Sequence, residues 1–160
     1  MDIEVAIMRI LHIVPGMFWV GSAVFVAFIL NPRLRALGPE LERPVTAAVN
    51  RVIALVVTGA AVITILVGFT LMSRTPGRGF EDLFDTGWGW AMGIGILASI
   101  VALGFGAVTG MSQARIRRIN QPETSVFQLD GLERRVRIYE KMHAVFAVLA
   151  VGTMAAARYV

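Results

Sequence analysis

Four long runs without a charged residue constrain this chain more than any other feature. The runs that lack Asp, Glu, Lys and Arg cover 10–30, 52–73, 86–114 and 142–157. A helix needs about 20 apolar residues to cross a bilayer, because each residue adds only about 1.5 Å. Charged residues make up 16% of the chain, whereas soluble domains carry about 25%. The sequence therefore predicts an all-α fold, an integral membrane four-helix bundle.

The segments between the runs set the expected ends of the helices. We predict helices at about 5–30, 45–73, 86–114 and 132–158 within a single transmembrane domain, residues 1–160. Asn31-Pro32 is expected to end the first helix, and 31–44 to form a loop. The last apolar run is too short to cross alone, so its helix is predicted to begin near Leu132.

Basic residues predict the orientation. Four of the fifteen Lys and Arg residues lie on one side of the predicted bundle: Arg9, Arg74, Arg78 and Arg158. The other eleven lie on the opposite side: Arg33, Arg35, Arg43, Arg51, Arg115, Arg117, Arg118, Arg134, Arg135, Arg137 and Lys141. The positive-inside rule places that side in the cytoplasm. We therefore expect a multi-pass protein of a bacterial inner membrane, with both termini on the outer side and no nucleic-acid partner.

Two histidines are the candidate functional residues. The chain has no cysteine, which excludes disulfides, thiolate-ligated haem and cysteine-bound iron–sulfur clusters. His12 and His143 each lie in an apolar run, and an ionisable residue at membrane depth indicates function. Neutral imidazole is a common ligand of haem iron. We therefore predict a b-type cytochrome that binds haem b through His12 and His143, for electron transfer to or from a redox partner or a quinone.

The faces that carry the histidines are rich in small residues. The face through His12 continues to Gly16, Trp19 and Ala23. The face through His143 continues to Ala147 and Ala150. Small residues beside a ligand leave room for a flat porphyrin, although they also serve helix packing.

Cations are needed for the haem propionates. Arg9 lies one turn before His12, and Arg51 and Lys141 lie near the cytoplasmic ends of their helices. These three residues are therefore predicted to contribute to cofactor binding.

The number of haems stays open. The two histidines are expected to differ in depth by about 10 Å, from the rise per residue of antiparallel helices. One tilted haem gripped by both is one arrangement. The other arrangement is two haems, each bound by one histidine with either a methionine or no residue opposite.

Other interpretations compete with the cytochrome. A membrane histidine can simply bond a carbonyl or a hydroxyl of a neighbouring helix. The eight methionines favour a copper-handling or structural subunit as an alternative, because thioethers suit Cu(I). A stripe of small residues on the third helix is consistent with a homodimer or with internal packing; it consists of Ala98, Ala102, Gly106 and Gly110.

Short motifs carry a family resemblance. The run Leu11-His12-Ile13-Val14-Pro15-Gly16-Met17-Phe18-Trp19-Val20-Gly21, the segment Asn31-Pro32-Arg33-Leu34-Arg35 and the segment Glu140-Lys141-Met142-His143-Ala144 resemble small bacterial membrane proteins of the CopD and HemJ-type families. The resemblance implies a four-helix bundle, haem b and His12 as a ligand. HemJ-type proteins are protoporphyrinogen oxidases that use a membrane lysine, for which Lys141 is the candidate. A porphyrin-oxidising enzyme is therefore a further alternative.

Overall fold

The computed structural model describes residues 3–74, 79–119 and 126–160. These residues form five α-helices: α1 (Ile3–Phe25), α2 (Asn31–Ala36), α3 (Pro39–Ser73), α4 (Gly87–Ile119) and α5 (Val126–Ala156). A π-helical segment, Val26–Leu30, joins α1 to α2, and short 3₁₀ turns cover Phe80–Leu83 and Ala157–Tyr159. The described residues contain no β-strand. Four segments are long and apolar enough to cross a membrane: Ile3–Ala36, Val52–Ser73, Gly87–Ile116 and Gly131–Tyr159. The predicted all-α membrane fold is confirmed.

The first helix does not end at Asn31-Pro32 as predicted. It passes through the π-helical segment into α2, and the chain turns only at Leu37-Gly38, where Gly38 has a φ of 89°. Pro39 occupies the first turn of α3, where a missing N–H costs nothing because that N–H has no helical partner. Pro32 follows directly on the π-helical segment, inside a helix that continues through Leu30 and Asn31. The predicted loop at 31–44 is therefore largely helical, and α3 begins at Pro39 rather than near residue 45.

The polar segments at the end of α4 and at the start of α5 are also more helical than predicted. Helix α4 continues to Ile119, and α5 begins at Val126 rather than near Leu132. Charged residues end a membrane span without ending a helix, because Arg and Glu are good helix formers. The spans and the helices therefore have different ends.

The bundle closes as two helix pairs. Helix α1 packs on α3 and α4 packs on α5, while α1–α5 and α3–α4 contacts close the ring. Its middle is a buried layer of Trp19, Val57, Ala61, Ala102 and Ala147. We call these residues the central layer. Large apolar side chains cover the outside, as expected for a surface that faces lipid rather than water.

The small-residue stripe of α4 serves the inside of the bundle. Ala98 and Ala102 are buried, and the α-carbon of Gly106 faces the ring of His143. Packing between α4 and α5 therefore accounts for the stripe without a second copy of the chain.

Candidate functional site

Two cavities lie on opposite sides of the central layer. One, of about 560 Å³, is lined by His12 and by residues toward the end of the bundle that carries both termini. The other, of about 610 Å³, is lined by His143 and by residues toward the opposite end. We name them the His12 cavity and the His143 cavity. Both volumes fall within the roughly 300–1,000 Å³ that is usual for ligand sites.

The His12 ring is fixed by one hydrogen bond. Its Nδ1 lies 2.8 Å from the backbone oxygen of Thr64 on α3. A carbonyl oxygen only accepts, so Nδ1 carries the proton and donates it. The bond to a carbonyl of a neighbouring helix, which the competing interpretation expects, is therefore present. This bond uses only one of the two ring nitrogens of His12. In the neutral ring Nε2 keeps its lone pair and has no partner among the described residues. This is the arrangement that metal-ligating histidines commonly adopt.

Two glycines let α1 and α3 approach at this point. A Cβ on Gly68 would lie 2.8 Å from Cε1 of His12, which is too close for the ring to stay in place. A Cβ on Gly16 would lie 3.2 Å from Cγ2 of Thr64. Gly16 is buried and lines the cavity beside His12. Gly16 and Gly68 therefore both line the cavity beside His12; the role of Gly16 in cofactor binding stays a prediction, and Gly68 was not predicted.

The walls of the His12 cavity combine small residues with sulfur. Small side chains come from α4 and α5: Ser99, Ala147 and Ala150. Thioethers come from four different helices: Met17, Met72, Met92 and Met154. The cavity can therefore admit a flat ligand, and it offers soft donors together with one imidazole nitrogen.

Trp19 connects the two cavities. It is 2% exposed, lines the His12 cavity, and its Nε1 donates a 2.8 Å hydrogen bond to Nε2 of His143. An indole N–H can only donate, so Nε2 of His143 accepts and Nδ1 carries the proton. The residues of the face through His12, which are Gly16, Trp19 and Ala23, are buried. Its tryptophan, however, contacts the other histidine.

A buried carboxylate is the main polar feature missed from the sequence. Glu140 is 8% exposed and lies one turn before His143 on α5. Its Oε2 accepts hydrogen bonds from Asn31 Nδ2 at 2.9 Å and from Arg35 at 3.4 Å. Its Oε1 accepts one from Gln113 Nε2 at 3.0 Å. These four residues form the Glu140 cluster. Glu140 lies just before the last uncharged run, and a carboxylate this close to a membrane span signals such a cluster, because burial requires hydrogen-bond partners.

The π-helical segment explains how Asn31 enters this cluster. A π turn contains an extra residue, so the residues that follow present a different face. Asn31 comes directly after the segment and is 7% exposed. The chain that was predicted to leave the membrane at this point instead completes the hydrogen bonding of Glu140.

Two of the three predicted propionate cations, Arg9 and Lys141, are not brought to either cavity. The side chains of Arg9 and Lys141 are exposed and belong to neither lining. The side chains of Arg51, Arg43, Arg117 and Arg118, and the whole of Arg78, lie outside the described residues. At the end of the bundle nearest His12, Arg74 forms a 2.6 Å ion pair with Glu4.

Comparison with family models, curated proteins and solved structures gives no match. Within the described ranges, no group of three or more His, Cys, Asp or Glu side chains is placed to hold a metal ion. The site must therefore be interpreted from its own chemistry.

Proposed function

We propose that this protein is a membrane b-type cytochrome that carries electrons, with haem b in the His12 cavity and His12 Nε2 as an iron ligand. The observation that carries the proposal is the Nδ1–H bond from His12 to Thr64, which leaves Nε2 free at a cavity of cofactor size. The small walls of the cavity support a planar cofactor. Bound haem supplies one-electron chemistry, which no side chain of this site provides.

A second residue to hold the haem would be a methionine rather than His143. Met72, Met92 and Met154 line the same cavity as His12, and a methionine–histidine pair is a known haem ligation. Nε2 of His143 is engaged by Trp19 and its ring lines the other cavity. Ligation by His143 would require Trp19 to turn away first. We therefore favour one haem that would be held by His12 and a methionine of the same cavity.

The cellular setting follows from the spans and the charges. Four candidate spans make this a multi-pass membrane protein. The bacterial inner membrane, outward-facing termini and a redox partner belong to the proposal, on the basis of the uneven loop charges.

Copper handling is the second candidate function. One imidazole and four thioethers on one cavity also form a donor set suited to Cu(I). A porphyrin-oxidising activity has less support, because the exposed Lys141 lies on neither cavity.

An absorption spectrum with metal analysis tests the proposal directly. Protein purified after expression with ample haem should show a reduced-minus-oxidised α-band and about one iron per chain. Stoichiometric copper without iron would instead establish the second candidate. A protein with neither metal would contradict both.

Replacing Gly68 with alanine should weaken haem binding by about tenfold, the effect of disturbing a residue that orients a ligand. The new Cβ would lie 2.8 Å from Cε1 of His12 and displace the ring. Gly59→Ala on the same helix is the matched control, because nothing lies within 4 Å of its added Cβ. Haem titration of both variants makes the comparison, and equal affinities would argue against a role for the His12 position.

A further inference from the structure

We propose that the His143 cavity is a second site, which binds the ring of a membrane quinone with His143 Nδ1–H as donor to a ring carbonyl. The choice of a quinone among carbonyl ligands rests on the proposed electron-carrier function. The site itself rests on the geometry around His143.

The donor at this site is fixed by Trp19. Because the indole N–H occupies Nε2, the proton of neutral His143 is held on Nδ1. Nδ1–H has no hydrogen-bond partner among the described residues, and its half-buried ring lines the cavity, so this donor is available to a ligand. A ligand that only accepts would satisfy it, and quinone oxygens are acceptors only.

The ring of His143 lies against helix backbone. A Cβ on Gly106 of α4 would lie 3.1 Å from Cε1 and 3.3 Å from Nδ1. Because Gly106 has no side chain, the imidazole of His143 can lie against α4 at the cavity wall. Gly68 provides the same space for the ring of His12. The buried hydroxyl of Thr109, one turn further along α4 and also on the lining, has no hydrogen-bond partner in the described chain. A second ligand oxygen would give it an acceptor.

The cavity is open to a ligand that arrives through lipid. Its lining includes apolar side chains that are exposed on the bundle surface, such as Leu55 at 68% on α3 and Met111 at 64% on α4. The polar end is formed by Gln113 and Glu140, which are already paired with each other. An apolar opening combined with one fixed donor fits a ring with an isoprenoid tail, and it does not fit a charged metabolite.

Calorimetric titration of the detergent-solubilised protein with ubiquinone-1, a short-chain benzoquinone, tests the proposal. His143→Phe keeps a ring but removes the donor, and it should weaken binding about tenfold. Gly106→Ala should also weaken binding, because the ring must shift. The matched controls are Val145→Ala, at an exposed position of α5, and Gly104→Ala, where nothing lies within 4 Å of the added Cβ. Both controls should keep the wild-type affinity.

Haem content of the same preparations separates this proposal from the cytochrome proposal. Quinone binding that needs His143 in a protein without haem would retain the site and reject the cytochrome. Haem without quinone binding, or binding unchanged in both His143→Phe and Gly106→Ala, would overturn the quinone site. Loss of the haem band in His143→Phe would also overturn it, because His143 would then belong to the haem site. Displacement of bound phospholipid without saturable quinone binding would identify the cavity as a lipid site and reject the proposal.

Discussion

His12→Ala should abolish haem binding. The imidazole provides the only ring nitrogen on the His12 cavity that is free of a hydrogen bond in the described structure. Disturbing a residue that merely orients a ligand costs about 10- to 100-fold in affinity, and loss of the ligand itself should cost more. The reduced-minus-oxidised spectrum and the haem-to-protein ratio of the purified variant provide the measurement.

Val14→Ala is the matched control for this loss. Val14 is exposed on the same helix and does not line the cavity, so its variant should keep the full α-band. A His12→Ala protein that folds and still binds one haem per chain would reject His12 as a ligand. Retention of one methionine-coordinated copper in that variant would favour the copper candidate instead.

Glu140→Ala should destabilise the protein by about 3 kcal/mol, as expected when one partner of a buried charge pair is removed. The carboxylate accepts hydrogen bonds from three side chains on two other helical segments: Asn31, Arg35 and Gln113. Its removal leaves buried donors unpaired and the Arg35 charge without this partner. Unfolding in detergent, followed by circular dichroism as denaturant is added, measures the change.

Glu40→Ala provides the comparison for this loss. Glu40 is an exposed carboxylate in the first turn of α3, and its removal should change stability by less than about 1 kcal/mol, the usual scale for surface charges. Equal stabilities of the two variants would show that the Glu140 cluster does not hold the bundle together. Glu140→Gln should recover part of the loss, because an amide oxygen still accepts a hydrogen bond while the charge is gone.

The Glu140 cluster also shows why the π-helical segment matters. The Glu140 cluster connects the end of the first membrane span to α4 and α5 at the height of the His143 cavity. Arg35 also forms an ion pair with Glu42 of α3, in which Nε lies 3.6 Å from Oε1. This ion pair extends the cluster toward the end of the bundle. The cluster therefore fixes the polar end of the cavity in which we place the quinone.

The sequence by itself determined the membrane class, the number of spans and the small-residue faces that carry the two histidines. Hydropathy and the helical period decide these features locally, since lipid requires apolar outer residues and complete backbone hydrogen bonding. The same local signals explain why the predicted loop at 31–44 is wrong. Proline and arginine predict a loop there, whereas α3 accepts Pro39 in its first turn and the first helix continues past Pro32 through the π-helical segment.

Only the tertiary structure decided which groups meet. His12 and Thr64 are 52 residues apart, Asn31 and Glu140 are 109 apart, and Trp19 and His143 are 124 apart. Each pairing depends on the rotation and depth of one helix against another, and small residues set both by allowing close approach. Spacing along the chain carries no information about that rotation. The sequence therefore selected both histidines, while packing assigned them to separate cavities and left a free Nε2 on His12 alone.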